Sequence, residues 1–190
     1  MPVLDQIGAL LIDAICGVLV YAVLLRFVMQ MRHASFYNPL GHFVLTLTEW
    51  AVRPLRRVIP VTRGVDWATL LLGFLIELVI VLARSYLLAP AGALRLSPAL
   101  WCCLALTELV RTAGGLLIFL AIADFLVSWV NPNAPLANVI ARLIRPIYLP
   151  LRRYLPAPGG IDLAPWALVL LINVGFILLN AIERVLRSTL

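Results

Sequence analysis

The stretch Pro54-Leu55-Arg56-Arg57-Val58-Ile59-Pro60 returns 96 positions later as Pro150-Leu151-Arg152-Arg153-Tyr154-Leu155-Pro156. The register continues downstream, where Gly64-Val65-Asp66 recurs as Gly160-Ile161-Asp162. Self-similarity at a constant spacing indicates a repeated structural unit. We therefore predict two copies of one unit, a first repeat at 1–90 and a second repeat at 91–190.

The composition places both repeats in a membrane. Of the 190 residues, 63% are hydrophobic and 13% are charged, against about 25% charged in an average globular domain. A helix that crosses a bilayer needs roughly 20 apolar residues. Four stretches meet this length, at about 7–29, 67–88, 109–130 and 164–182. The predicted fold class is an all-α membrane protein whose four transmembrane helices form two tandem helical hairpins.

The linker inside each repeat carries apolar residues at helical spacing. They are Leu40, Phe43, Val44, Leu47 and Ala51 in the first linker, and Leu136, Val139, Ile140, Leu143, Ile147 and Leu151 in the second. Each linker is predicted to hold an amphipathic interfacial helix, at about 39–53 and 135–149, ended by Pro54 and Pro150. A re-entrant hairpin is the alternative, although the adjacent arginines make deep insertion costly.

Arginine sets the expected orientation, because the chain has 15 arginines and no lysine. Nine of them lie in the two linkers: Arg32, Arg53, Arg56, Arg57, Arg63, Arg142, Arg145, Arg152 and Arg153. The positive-inside rule then predicts cytoplasmic linkers and external termini. The net charge of +6 favours anionic lipid headgroups as partners over nucleic acid.

The repeated pattern resembles that of the YggT (YlmG) family of small bacterial and plastid integral membrane proteins. The second copy carries it more fully, from Trp129-Val130-Asn131-Pro132 through Gly160-Ile161-Asp162, whereas the first has Trp50 in place of Pro146. The resemblance implies a multi-pass protein of the bacterial inner membrane without an established enzymatic activity. It also implies association with osmotic or ionic stress, with division, or, in plastids, with cytochrome maturation.

Ionisable residues inside the spans are the candidate functional residues, because they are costly at bilayer depth. In the second spans, Glu77 aligns with Asn173 and Arg84 aligns with Asn180 at the spacing of 96. Glu77 lies near the middle of its span, and a hydrogen bond to Asn173 or a cation or proton site are the alternatives for it.

In the first spans a spacing of 98 aligns Asp13 with Arg111 and Arg26 with Asp124, so the charges are opposite at equivalent positions. A pseudo-two-fold axis along the membrane normal would bring each aligned pair to one depth. We therefore predict ion pairs between the repeats, Asp13 with Arg111 and Arg26 with Asp124. Glu108, three residues before Arg111, is a competitor for that arginine.

Asp66 and Asp162 follow glycines and open the second spans, which is typical of helix N-caps. Salt bridges to Arg56 and Arg152 are a further role for them. No nucleophile with a base, phosphate loop or metal-ligand spacing is apparent, so neither an enzyme nor a cofactor, metal or small-molecule substrate is predicted.

Three function classes remain at this point. The favoured one is a non-enzymatic scaffold or accessory factor in envelope homeostasis or membrane organisation. The second is a small-ion pathway, which would need a homo-oligomer because four spans hardly enclose a pore. The third is an assembly factor for division or cytochrome components, which would need a membrane-protein partner.

Overall fold

The computed structural model describes residues 2–62, 64–88, 97–131, 134–155 and 162–189. Within these ranges the chain forms six helices. They are α1 (Pro2–Met31), α2 (Pro39–Val58), α3 (Trp67–Leu88), α4 (Pro98–Val130), α5 (Pro135–Arg152) and α6 (Ala164–Thr189). Four of them, α1, α3, α4 and α6, are long and apolar enough to cross a membrane. The predicted fold class is confirmed.

Local sequence explains where several helices begin. The Asn38 side chain accepts a hydrogen bond of 2.9 Å from the backbone of Gly41, and Pro39 occupies the first turn of α2. Ser97 caps α4 in the same way, before Pro98. Such caps satisfy amide groups that a helix leaves free at its start, where proline costs nothing.

The prolines of the linkers do not end the linker helices. α2 continues through Pro54 to Val58, and α5 continues through Pro146 and Pro150 to Arg152. The predicted ends at about 53 and 149 were therefore wrong. Pro54 and Pro150 are both exposed, and each removes one backbone hydrogen bond without ending its helix.

The third span is also longer than predicted. α4 is continuous over 33 residues, or roughly 50 Å, which exceeds a hydrocarbon core of about 30 Å. Its first turns pack against the second half of α3, where Trp101 lies among Val81, Leu100 and Leu104. Contact with α3 thus extends the helix beyond the apolar run expected at 109–130.

Each repeat packs in the same order, with its two spans side by side and the linker helix against both. The repeats meet where α4 lies against α3 and α1, around a core that includes Val20, Leu24, Leu116 and Leu120. Among the described residues, α6 packs mainly against α4 and α5. The contact of α4 with α3 and α1 is therefore not the two-fold arrangement of repeats that the aligned charges predicted.

Candidate functional site

A buried arginine ties the first linker helix to the first span. Arg26, near the end of α1, is 2% exposed. Its guanidinium donates to the hydroxyl of Thr48 at 2.9 Å and to the carboxylate of Glu49 at 2.7 Å. Both acceptors lie on α2. A charge-assisted bond of this length stabilises the contact more than a neutral one, so Arg26 fixes α2 against α1.

The second repeat has an acid at the equivalent place. Asp124 of α4 is buried and accepts two hydrogen bonds of 3.3 Å from Arg145, while the hydroxyl of Tyr148 donates to the same carboxylate. Both donors lie on α5. Burial, followed by the bond to Asp124, raises the pKa of the Tyr148 phenol above its usual value. The phenol therefore stays protonated and remains a donor at neutral pH.

A second set of ion pairs lies on the same spans, farther from the linkers. Arg84 of α3 donates to Asp13 of α1 at 2.6 Å. Arg111 of α4 donates to Glu183 of α6 at 2.7 Å and to Glu108 at 3.2 Å. Thirteen residues separate Asp13 from Arg26, which is roughly 20 Å along a helix. The charged residues thus form two layers, which we call the far layer and the linker layer.

The pairing predicted between the repeats was wrong. Asp13 does not pair with Arg111, and Arg26 does not pair with Asp124, because each of these residues is held by a helix of its own repeat. The equal spacing marks positions that correspond in the two repeats, and corresponding positions need not be neighbours. The competitor Glu108 does contact Arg111, as the sequence suggested.

The structure instead shows that the second repeat inverts the signs of the first. The first span of repeat one carries an acid in the far layer and an arginine in the linker layer, and repeat two carries the reverse. The partners invert as well. Glu49 and Arg145, which complete the linker layer, are separated by the same 96 positions as the repeated motif. That register was a signal in the sequence that could have identified both partners.

In the described part of the chain, a hydrogen bond near the middle of α3 joins the repeats. Glu77 of α3 is 4% exposed and accepts a bond of 2.6 Å from the hydroxyl of Thr112 on α4. The bond to Asn173, one of the two alternatives for Glu77, is not among the described contacts, since that amide donates to the carbonyl of Val169 on its own helix. Asn173 and Asn180 both lie exposed on α6. Thr112 was missed because a threonine in a span gives no distinctive signal.

The repeated motif itself forms the same contact in both copies. Arg56 donates to Asp66 at 2.5 Å and to Gln30 at 2.8 Å, and Arg152 donates to Asp162 at 2.8 Å. The salt-bridge role considered for Asp66 and Asp162 is thus present. Both aspartates also accept from backbone amides at the start of the next span. The neighbours Arg57 and Arg153 are exposed.

Electrostatics hold Asp66 ionised. Burial raises the pKa of its carboxyl group, but the hydrogen bonds from Arg56 and Thr69 together with the Arg56 charge outweigh burial, so the pKa lies below its usual value. Within the described ranges, no group of three or more His, Cys, Asp or Glu side chains is placed to hold a metal ion. The chemistry of this site is charge pairing between helices.

The sequence of the chain is similar to the sequences of known proteins. The model of the CCB3/YggT family matches two segments, 6–87 and 103–188, which fall in the two repeats. The YggT protein of Escherichia coli strain K12 is 33% identical over 182 residues, covering 94% of this chain and 90% of its own length. A Vibrio alginolyticus protein from the proC 3' region is 35% identical, covering 87% of this chain and 88% of its own length. No solved structure matches the chain.

Proposed function

The chain belongs to the CCB3/YggT family, and from that premise we propose that it is a non-enzymatic scaffold or accessory factor of the bacterial inner membrane. Its linkers face the cytoplasm and its termini face outward, in line with the arginine-rich linkers. α2 and α5 lie in the interface, where their exposed sides meet headgroups and water. This places a basic surface beside the cytoplasmic leaflet.

The observation that supports the proposal is that the ionisable groups of the spans form ion pairs with neighbouring helices. The charged side chains of the far layer and the linker layer are joined to a neighbouring helix by ion pairs of 2.6–3.3 Å. Groups held in this way fix one helix arrangement. They are not free to bind and release a transported ion or to act on a substrate. A rigid frame that displays a surface is the function that this use of charge supports.

The displayed surface is basic. Arg53 and Arg57 of α2, Arg142 of α5 and Arg153 directly after it are exposed. Each arginine near an anionic leaflet contributes about 1 kcal/mol of attraction. Anionic headgroups are therefore the first ligands of this surface, and a partner that docks there would meet it at a fixed depth.

A small-ion pathway is the second candidate, and Glu77 is the observation that favours it. A carboxyl group at mid-span beside the Thr112 hydroxyl is the arrangement that a proton or small cation could use. This function predicts a loss of activity at Glu77, whereas the scaffold predicts a loss at the basic surface. The two candidates therefore depend on different residues.

The experiment compares these two groups of residues in purified protein. One variant replaces the four surface arginines (Arg53→Gln, Arg57→Gln, Arg142→Gln, Arg153→Gln), and another is Glu77→Gln. Arg184→Gln, at the other end of the molecule, is the control. We expect anionic phospholipid to be retained over phosphatidylcholine after detergent extraction, and only the four-arginine variant to lose this preference. Proton or potassium flux in proteoliposomes that Glu77→Gln abolishes would overturn the scaffold.

A further inference from the structure

The contact between the repeats uses a face that both repeats possess. In the first repeat, the face of α1 and α3 receives α4 at three places. The Tyr21 hydroxyl fits against Gly115, where a Cβ atom would lie 2.6 Å from its oxygen. Leu109 fits against Gly73, and Thr112 bonds to Glu77. We call this face of a repeat its acceptor face.

The acceptor face of the second repeat is uncovered. The residues that correspond to Tyr21, Gly73 and Glu77 are Phe119, Val169 and Asn173. Phe119 is 63% exposed, and Asn173 places an exposed amide at mid-span. On the linker side of these two residues, an apolar cavity of about 210 Å³ is lined by α4 and α6, including Ala121, Ile122 and Val169. The α6 span has 11% of its residues buried, against 28% for α3.

The complementary face of α1 is uncovered too. In α4, the residues that enter the acceptor face are Leu109, Thr112, Gly115 and Leu116, and their counterparts in α1 are Leu11, Ala14, Gly17 and Val18. Leu11, Ala14 and Val18 are exposed. Apart from the two neighbouring residues and the backbone of α1 itself, no described atom lies within 4 Å of the place where a Cβ atom of Gly17 would be. We call this surface of α1 the donor face.

The two faces can meet in one membrane without turning a molecule over. Each repeat has two spans, so α1 and α4 cross the bilayer in the same direction. A second copy inserted in the same orientation therefore presents α1 as α4 is presented internally. Covering Asn173 also removes an exposed polar side chain from lipid, which is costly to leave there.

We propose that a second copy of this chain docks α1 on the acceptor face of α4 and α6, repeating the internal contact between the copies. Leu11 of one copy enters the cavity beside Val169 of the other, and Phe119 of one lies against Gly17 of the other. Val18 of the donor face and Phe119 of the acceptor face line one groove of about 420 Å³. One residue of each face thus lines this groove, and in the proposed two-fold dimer each copy gives its donor face and receives that of the other.

This dimer goes beyond the scaffold proposal and does not depend on it. The test uses full-length protein in native membranes, with Cys16, Cys102 and Cys103 replaced by alanine. Leu11→Cys and Val169→Cys are made in separate chains with different tags and expressed together. Oxidation should link the two tags, while Leu11→Cys expressed alone should give little product. Leu171→Cys, exposed on the opposite side of α6, is the matched control and should not link to Leu11→Cys.

A second variant tests the dimer without cross-linking. Gly17→Leu fills the open position on α1 and should convert the dimer to monomer, measured as particle mass in mild detergent. It should leave the melting temperature of the monomer within a few degrees, because Gly17 has open space around it. A monomeric mass for the unaltered protein, or links formed equally by the Leu171→Cys control, would overturn the dimer. So would a dimer that tolerates Gly17→Leu.

Discussion

Glu49 and Arg145 occupy the same position of the two linker helices and carry opposite charges. Each is half exposed and pairs with a buried residue in the first span of its own repeat, Glu49 with Arg26 and Arg145 with Asp124. Exchanging the spans between repeats would set Arg26 against Arg145 and Asp124 against Glu49. Like charges in a low-dielectric site repel, so the inversion favours association of each linker helix with its own repeat.

The first prediction is a charge exchange within a repeat. Glu49→Ala leaves the buried Arg26 without its anion, and because Glu49 is half exposed the loss should be smaller than the roughly 3–5 kcal/mol of a fully buried pair. Exchanging both charges, Arg26→Glu with Glu49→Arg, should recover part of this loss in a thermal unfolding assay. The exchange between repeats, Arg26→Asp with Asp124→Arg, should be worse than either single change. Rescue by that second exchange would contradict the pairing.

The second prediction concerns the bond between the repeats. Thr112→Val removes the donor to buried Glu77 and should cost about 1–3 kcal/mol, as expected for a buried acceptor left unsatisfied. Thr107→Val is the control, because that hydroxyl donates to Leu104 on its own helix. Glu77→Gln keeps an acceptor for Thr112 and should be tolerated. Equal melting temperatures for the two threonine variants would show that the bond contributes little.

A third prediction compares neighbouring positions on α5. Leu143 is 0% exposed and packs in the main core, whereas Arg142 beside it is exposed. Leu143→Asp buries a charge with no partner and should lower expression and unfolding temperature sharply. Arg142→Asp should change stability little, and so should Thr46→Lys on the exposed side of α2. If Leu143→Asp and Arg142→Asp behave alike, α5 does not pack as described.

The fourth prediction is a pH dependence at Asp66. Its pKa is lowered in the folded protein, because the bonds from Arg56 and Thr69 outweigh burial. A carboxyl group whose pKa is lowered on folding stabilises the fold at pH values above its pKa in the unfolded chain, about 4. This stabilisation is lost as the pH falls through the pKa of the group in the folded protein. Asp66→Asn should lower the free energy of unfolding at pH 7. It should also make that free energy fall less steeply as the pH drops below 4. Asp5→Asn should keep that decline, and an unchanged decline in Asp66→Asn would contradict the assignment.

The fifth prediction is the orientation in the cell. With the three native cysteines replaced, Ser97→Cys between α3 and α4 should react with an impermeant maleimide added outside. Arg57→Cys and Arg153→Cys should react only after the membrane is opened. The reverse pattern would place the linkers outside.

The sequence predicted the number of spans and the charged residues that α1 and α4 contribute to the two layers, because duplication and apolar length are properties of the chain alone. It misassigned the partners, since an alignment between repeats identifies Arg26 with Asp124 as equivalents and says nothing about which helix lies beside each. Pro54 was misread for a related reason. An interior proline usually kinks or ends a helix, and the sequence alone does not show that α2 continues through Pro54 to Val58.

The pairing within each layer also determines how the protein responds to membrane voltage. Moving an unpaired elementary charge across a membrane potential of 100 mV changes its energy by about 2.3 kcal/mol. Asp13 moves with Arg84, and Asp124 moves with Arg145, so each pair has no net charge on which the field can act. Depolarisation therefore exerts no net force along the membrane normal on either of these two pairs.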